Sequence, residues 1–321
     1  MPDRRRAERW VILLAAGFVA AMLAVGAFSG GRDLLASLAR VDPGFFLLLL
    51  AMALASFCFR FLRWHLAARS LGIHVPIARH ALFFLAGFSM TLTPGRVGEV
   101  LRLYLLRKSG GHRYEKTAPL LFIDRLSDVV AIAMIGAVAA LTIGRYELVS
   151  AVVLAGAIAA NLVFFKPGWF ILLVNAGYAT LRRSPRLFAR LRVALREMGR
   201  LSDHRIYGAV LALSLASWLT EGYAFHLLLA RLAEGSAAAD LPAAAGVLVF
   251  SLATLAGVIT MLPGGLGGAE LSMLGMLVAL GVPNAAAVAA TAVIRVVTLW
   301  FAVVVGFAVL PFALKQAERR D

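Results

Sequence analysis

The chain has 321 residues, of which 61% are hydrophobic and 15% charged, and its mean hydropathy is +0.87. This balance excludes an ordinary soluble domain and predicts a single integral membrane domain over residues 1–321. The net charge of +15 does not indicate a nucleic-acid partner, because the basic residues flank apolar runs, where they serve as topology signals and contacts to anionic lipids.

Six apolar stretches are long enough to span the hydrocarbon core of a bilayer, which takes about 20 residues. In chain order they are 10–28, 44–64, 117–141, 147–165, 207–230 and 284–310. Two further stretches, 79–108 and 243–282, are interrupted near the middle by proline and glycine, and each is predicted to form a pair of short re-entrant helices. The predicted fold is therefore an all-α, polytopic membrane bundle of about six spans plus two broken helix pairs.

The lysines and arginines predict the orientation of the chain. With a cytoplasmic N-terminus, most of the 32 basic residues fall on the cytoplasmic side, Arg60, Arg63 and Arg102 among them. The residues left outside are Arg32, Arg40, Arg145 and Arg231. Both termini are thus predicted to face the cytoplasm, with the protein in the cytoplasmic (inner) membrane. The two broken pairs then open to opposite sides, so that repeat 1 (about 79–141) and repeat 2 (about 243–310) are inverted repeats.

The segment 181–205 differs from the rest of the chain because it is strongly basic. Ser184 and Pro185 are typical of an N-cap and the first residue of a helix. One helical face is then apolar, at Leu187, Leu191, Leu195, Met198 and Leu201. This pattern predicts a basic amphipathic helix on the cytoplasmic membrane surface, or a plain loop helix without a function of its own.

The two interruptions carry similar motifs. The first is Pro94-Gly-Arg-Val-Gly-Glu99 and the second is Pro263-Gly-Gly-Leu-Gly-Gly-Ala-Glu270. An arginine inside an apolar stretch follows the two glutamates after 26 and 25 residues, at Arg125 and Arg295. Paired interruptions of this kind indicate a transport pathway between two repeats. The predicted turn and hinge positions are Pro94, Gly95, Gly98, Pro263, Gly264, Gly265, Gly267 and Gly268.

Charged side chains at membrane depth are costly and point to function. The predicted substrate-binding residues are Arg96, Glu99, Arg102, Asp124, Arg125, Asp128, Glu270 and Arg295. Arginine suits a lipid phosphate because its planar guanidinium donates two parallel hydrogen bonds. Two interpretations stay open: a headgroup site, or two buried Glu–Arg pairs that only hold the repeats together. Glu221, inside the stretch 207–230, is a candidate for proton coupling.

No Walker A, G-x-S-x-G or H-E-x-x-H motif occurs, and the six histidines have no metal-ligand spacing. The single cysteine, Cys58, excludes a disulfide framework and a cysteine-based metal site. We therefore expect no enzyme, no cofactor and no bound metal.

Four motifs, in this order, resemble the lysylphosphatidylglycerol synthase transmembrane, or flippase-like, family. They are Pro94-Gly-Arg-Val-Gly-Glu-Val-Leu-Arg102, Asp124-Arg-Leu-Ser-Asp128, Leu262-Pro-Gly-Gly-Leu-Gly-Gly-Ala-Glu270 and Ile294-Arg295. The resemblance covers residues 10–315, and Asp124 stands where family members often have glutamate. In the family's type member this region is associated with moving aminoacylated phosphatidylglycerol across the membrane, ahead of a soluble transfer domain.

Because the sequence ends at Asp321, we expect no such domain and no lysyl transfer here. Stand-alone relatives are linked to hopanoid and to other lipid and glycolipid pathways. The predicted function is translocation of an anionic or phosphate-bearing lipid, or of a hopanoid- or glycolipid-type lipid, with membrane lipids of anionic headgroup as partners. The alternative is a non-transporting accessory protein that presents lipid to, or docks, a lipid synthase or glycosyltransferase. A membrane-embedded lipid-modifying enzyme, the third class, would need an acid–base pair such as Glu99 and Asp128.

Overall fold

The computed structural model describes residues 31–93, 97–144, 147–164, 203–234, 236, 240–260 and 262–318, together with the isolated residues 193 and 199. The predicted span 10–28 and nearly all of the basic segment 181–205 lie outside these residues. The α-helices, in chain order, are α1 (Gly31–Ala39), α2 (Pro43–Ser70), α3 (Ile77–Ala86), α4 (Val97–Gly110), α5 (Tyr114–Thr142), α6 (Glu147–Phe164), α7 (His204–Leu232), α8 (Ala243–Ile259), α9 (Gly268–Ala279), α10 (Asn284–Arg295) and α11 (Phe301–Glu318). The described part of the chain contains no strand, which confirms the predicted all-α class.

Capping side chains and proline set where two of the long helices begin. Asp42 caps α2 by accepting a hydrogen bond from the backbone N–H of Phe45 at 3.0 Å, and Pro43 occupies the first helical position. Asp203 caps α7 in the same way. By length and composition, α2 and the continuous helix Asn284–Glu318 could each cross a membrane. That continuous helix joins α10 to α11 through a π-helical turn, Val296–Trp300.

The two interrupted stretches are broken where the proline–glycine motifs predict. In the first, α3 continues as a 3-10 turn (Gly87–Met90) and α4 begins at Val97 after the break. In the second, α8 ends at Ile259, a 3-10 turn covers Pro263–Gly265, and α9 begins at Gly268.

The glycines of the second break have the backbone geometry that requires glycine. Gly264, Gly265 and Gly267 have φ angles of 62°, 69° and 87°, in the left-handed region that other residues rarely adopt. In the first break, Pro94, Gly95 and Arg96 lie outside the described residues, and Gly98 lies in the first turn of α4. Three of the four glycines predicted at the second break thus have a turn conformation, and the fourth, Gly268, is the first residue of α9.

The order of elements repeats along the chain: a helix, a break, a short helix and then a long helix. The first helix of each unit packs against the long helix of the other, so that α3 contacts α11 and α8 contacts α5. The remaining long helices, α2 and α7, pack against each other between the two units. Each unit therefore completes the packing of the other.

The two breaks meet inside the protein. Leu92 of the first break packs with Leu299 and Val303 in a small buried apolar cluster that Leu266 of the second break covers. A change in the backbone conformation of one break would therefore alter the packing of the other.

Candidate functional site

A buried arginine of α2 anchors the main cluster of charges. The side chain of Arg63 is only 2% exposed, and its two terminal nitrogens donate to Asp124 and, at 2.6 Å, to Asp128, both on α5. Ser214 of α7 accepts a further hydrogen bond from Arg63 at 2.7 Å. Arg63, which the sequence analysis counted among the cytoplasmic basic residues, is thus buried against two neighbouring helices, within an α2 that continues to Ser70.

Arg125 lies on the other side of the same two aspartates. Its Nη2 is 3.0 Å from Glu99 of α4 and 3.3 Å from both Asp124 and Asp128. Asp124, Arg125 and Asp128, all three predicted as site residues, thus lie together on one side of α5. Glu99 and the two aspartates thus surround one guanidinium, while Arg63 supplies the compensating charge from behind.

Arg102 of α4 closes the cluster against aromatic rings. Its Nη1 is 3.7 Å from Asp124, its Nε donates to the carbonyl of Phe84 at 3.1 Å, and its guanidinium carbon lies 4.0 Å from the centre of the Phe84 ring. Gly87 leaves the room for this side chain, since an ideal β-carbon there would lie 2.4 Å from the Arg102 Nε.

A second group of polar side chains joins α2 to α7 next to this cluster. Glu221 accepts hydrogen bonds from Arg60 at 2.7 Å and from Ser56 at 2.6 Å. The Arg60 guanidinium carbon lies 4.2 Å from the centre of the Trp218 ring, whose indole N–H donates to Asp128 at 2.8 Å. Glu221, which the sequence suggested as a site of proton coupling, thus forms an ion pair with Arg60. The sequence analysis had counted Arg60 only among the cytoplasmic basic residues.

The second break has its own ion pair. Arg295 donates from Nε to Glu270 at 2.6 Å and from Nη2 to the carbonyl of Gly264 at 2.7 Å. The other carboxylate oxygen of Glu270 accepts the backbone N–H of Gly267 at 2.7 Å. The glycine-rich turn, the carboxylate and the arginine therefore form one closed unit.

The Glu99–Arg125 and Glu270–Arg295 pairs occupy equivalent places in the two units. Each glutamate is the third residue of the short helix after a break, α4 or α9. Each arginine is the twelfth residue of the long helix that follows, α5 or the continuous α10–α11. The spacing noticed in the sequence is thus realised as two matching contacts.

The two pairs differ in accessibility. The side chains of Arg125 and Glu99 are 37% and 18% exposed, whereas those of Arg295 and Glu270 are 13% and 6% exposed. A polar group from outside the bundle can reach the first pair, while the second is shielded.

The structure brings together most of the predicted site residues. One network, here called the charge network, contains Arg60, Arg63, Glu99, Arg102, Asp124, Arg125, Asp128 and Glu221. Glu270 and Arg295 form the second pair, and Arg96 lies outside the described residues. Arg60 and Arg63 were missed as site residues, although their position one turn apart within an apolar run was a usable signal.

The charge network offers both donors and acceptors to a polar ligand. Arginines can donate to phosphate, and carboxylates beside them can accept from an amine. Within the described ranges, no group of three or more His, Cys, Asp or Glu residues could hold a metal ion.

Comparison with known proteins shows the family of the chain. Residues 11–306 match the model of the family described as the lysylphosphatidylglycerol synthase TM region. The chain belongs to this family. A UPF0104 membrane protein of Methanothermobacter thermautotrophicus (strain Delta H) is 26% identical over 333 residues, which cover 95% of this chain and 96% of the relative.

A second UPF0104 membrane protein of that organism is 35% identical over 105 residues, which cover 33% of this chain and 30% of the relative. The protein is therefore a membrane protein of a lipid-related family, and the family suggested by the four motifs is confirmed.

Proposed function

We propose that the protein is a lipid translocase of the cytoplasmic membrane, which moves a phosphate-bearing lipid between leaflets while the acyl chains stay in the bilayer. The observation that carries the proposal is the pair of matching Glu–Arg contacts, Glu99–Arg125 at 3.0 Å and Glu270–Arg295 at 2.6 Å, each next to a proline–glycine break. Broken helices with charged groups at a repeat interface are a common plan among membrane transporters.

The packing of the two units supports an inverted-repeat arrangement. The exchange of partners, α3 with α11 and α8 with α5, is what a two-fold relation between the units produces. Together with the distribution of basic residues, this supports opposite orientations of the breaks and cytoplasmic termini. Rocking of one unit against the other would then expose the two ion pairs in turn.

The different exposure of the two pairs supports alternating access. Arg125 is 37% exposed and Arg295 13%, so the conformation described here has one reachable and one shielded half-site. In the proposed cycle, a phosphate binds the reachable arginine and is handed over when the units rock.

The test is transbilayer movement of tail-labelled lipids in liposomes, followed by dithionite quenching. The informative variants remove a whole ion pair, Glu99→Gln/Arg125→Gln or Glu270→Gln/Arg295→Gln, so that no lone charge is left. The matched control is Lys108→Gln/Glu318→Gln, because this pair is joined at 2.9 Å and the Glu318 side chain is 65% exposed.

We expect both site variants to lose at least about nine-tenths of the translocation rate, because the arginines are the phosphate donors, and the control to keep it. Both site variants must still elute from gel filtration as folded protein. Normal movement by the two site variants would refute the proposal, and no movement by the wild type, with or without a pH gradient, would favour the accessory role.

A further inference from the structure

Among the described residues of the charge network, Arg125 and Glu99 have the most exposed side chains, and Arg60, 17% exposed, pairs with Glu221 of α7. Within the charge network, the side chains of Arg63, Asp124 and Asp128 are at most 4% exposed. Arg125 and Glu99 are 37% and 18% exposed, and they lie 3.0 Å apart. A headgroup that enters the site therefore meets a guanidinium and a carboxylate together.

The charge network is balanced before any ligand arrives. Its members among the described residues are the four arginines Arg60, Arg63, Arg102 and Arg125 and the four carboxylates Glu99, Asp124, Asp128 and Glu221. In a low-dielectric site an uncompensated charge costs several kcal/mol, so that binding is favourable only when pairing is preserved.

Arg125 has donor capacity that its present partners do not use. Its Nη2 is shared among Glu99, Asp124 and Asp128, whereas its Nε is buried and has no hydrogen-bond partner. In Arg295, by contrast, Nε and Nη2 are both occupied, by Glu270 and by the carbonyl of Gly264. If binding turns the Arg125 side chain so that Nε faces the ligand, a phosphate gains a hydrogen bond that the resting protein lacks.

We propose that the lipid carried by this site has a zwitterionic headgroup, a phosphate with a primary ammonium, in which the phosphate binds Arg125 and the ammonium binds Glu99. This inference rests on the translocase function proposed above and names its substrate class. Such a headgroup separates the ion pair and gives each member a new partner of opposite charge. A headgroup with only a phosphate would bind Arg125 and leave the Glu99 carboxylate unpaired in a poorly solvated site.

The test compares two lipids of identical labelled tails, one with a phosphoethanolamine and one with a phosphoglycerol headgroup, in the same host bilayer. For the wild type we expect the zwitterionic lipid to move at least about tenfold faster, which corresponds to about 1.4 kcal/mol. In Glu99→Gln the site loses one negative charge, and the preference should reverse toward the anionic phosphoglycerol lipid. The variant should fold, because Asp124 and Asp128 still pair with Arg125 at 3.3 Å.

Glu318→Gln is the matched control, since it removes one carboxylate from an exposed pair outside the site, and it should keep the wild-type preference. Equal or faster movement of the phosphoglycerol lipid by the wild type would overturn the zwitterion proposal and leave the translocase proposal standing. An unchanged preference in Glu99→Gln would do the same. Absence of movement for both lipids would instead remove the translocase proposal on which this inference rests.

Discussion

Leu92 and Gly264, one from each chain break, touch so closely that no side chain fits between them: an ideal β-carbon on Gly264 would lie 2.8 Å from Leu92 Cδ2. The same glycine has a φ of 62° and offers its carbonyl to Arg295 at 2.7 Å. The contact between the breaks and the position of the second ion pair therefore depend on one residue.

Gly264→Ala should destabilise the protein and displace Arg295. We expect a loss of about 1–3 kcal/mol of unfolding free energy, from the left-handed backbone conformation together with the contact to Leu92. The thermal midpoint in detergent measures this loss. Gly275→Ala is the control, because this glycine of α9 has open space around its β-carbon position, and its midpoint should stay or rise. Equal midpoints for the two variants would contradict the role of Gly264.

Arg63→Met should be among the most damaging single changes in α2. It leaves the buried carboxylates of Asp124 and Asp128 short of a cation, which costs about 3–5 kcal/mol in comparable buried pairs. The amount of monodisperse protein and its thermal midpoint report the effect. Arg69→Met, at the exposed end of α2, is the control.

The double variant Arg63→Met/Asp124→Asn separates an electrostatic role from a packing role. If unpaired charge is the cause, neutralising Asp124 should recover part of the lost stability, and the coupling between the two changes should exceed about 0.5 kcal/mol. Strict additivity of the two losses would show that Arg63 acts only through its volume.

Gly136 is the twenty-third residue of α5, and Gly306 is the twenty-third residue of the continuous helix Asn284–Glu318. Substitution by alanine is expected to have opposite effects on stability at the two positions. A β-carbon on Gly306 would lie 2.1 Å from the backbone nitrogen of Ser89, whereas one on Gly136 would meet Ser251 Cβ at an ordinary 3.5 Å. Gly306→Ala should therefore destabilise by at least about 1–3 kcal/mol, and Gly136→Ala should be neutral or stabilising by up to about 1 kcal/mol. The thermal midpoints of the two variants test this prediction. An unchanged midpoint for Gly306→Ala would show that α11 is not packed tightly against the 3-10 turn Gly87–Met90.

Asp42 should make stability depend on pH at the start of α2. The backbone N–H of Phe45 and the charge of Arg231 lower the pKa of this carboxyl below its ordinary value of about 3.9. Because the pKa is lower in the folded state, the stabilisation is present above pH 4 and is lost as the pH falls through the lowered pKa.

Asp42→Ser keeps a hydroxyl cap but removes the titrating group. Between about pH 5 and pH 3, its thermal midpoint should fall less than that of the wild type. Asp240→Asn, which removes an exposed carboxylate elsewhere, is the control and should follow the wild type. A steeper fall for Asp42→Ser than for the wild type would contradict the prediction.

Glu221 is the candidate for coupling translocation to protons, and its position gives a direct test. Its carboxylate pairs with Arg60 at 2.7 Å, and α7, which carries Glu221, packs against α10, which carries Arg295. Protonation of Glu221 would therefore change the charge seen by both halves of the protein. With an imposed pH gradient, the wild type should move lipid faster, while Glu221→Gln should lose this acceleration.

The control for Glu221 is Glu234→Gln, an exposed glutamate beyond the end of α7, which should keep the response to the gradient. Translocation by Glu221→Gln without a gradient should stay within about threefold of the wild type, since the amide oxygen can still accept from Ser56 and Arg60. An unchanged gradient response in Glu221→Gln would remove this residue from coupling.

By itself, the sequence determined the all-α class, the position of the second break and the family. These are local properties: apolar runs set helix length, proline and glycine interrupt helices, and four motifs in order mark the family. The predicted stretches 117–141 and 207–230 correspond to α5 (Tyr114–Thr142) and α7 (His204–Leu232), extended by a few residues at their ends. The pairing of Glu99 with Arg125 was also indicated by the sequence, because an arginine follows the glutamate of each unit at nearly the same distance, 26 residues in the first and 25 in the second.

Only the tertiary structure decided which charges meet. Arg63 pairs with Asp124 and Asp128 across 61 and 65 residues of sequence, and no periodicity within α2 reveals that α5 lies against it. An arginine near the end of an apolar run has the same local signature whether it faces the cytoplasm or a buried carboxylate. Packing decides between the two, because a buried guanidinium is stable only where another helix brings carboxylates to it.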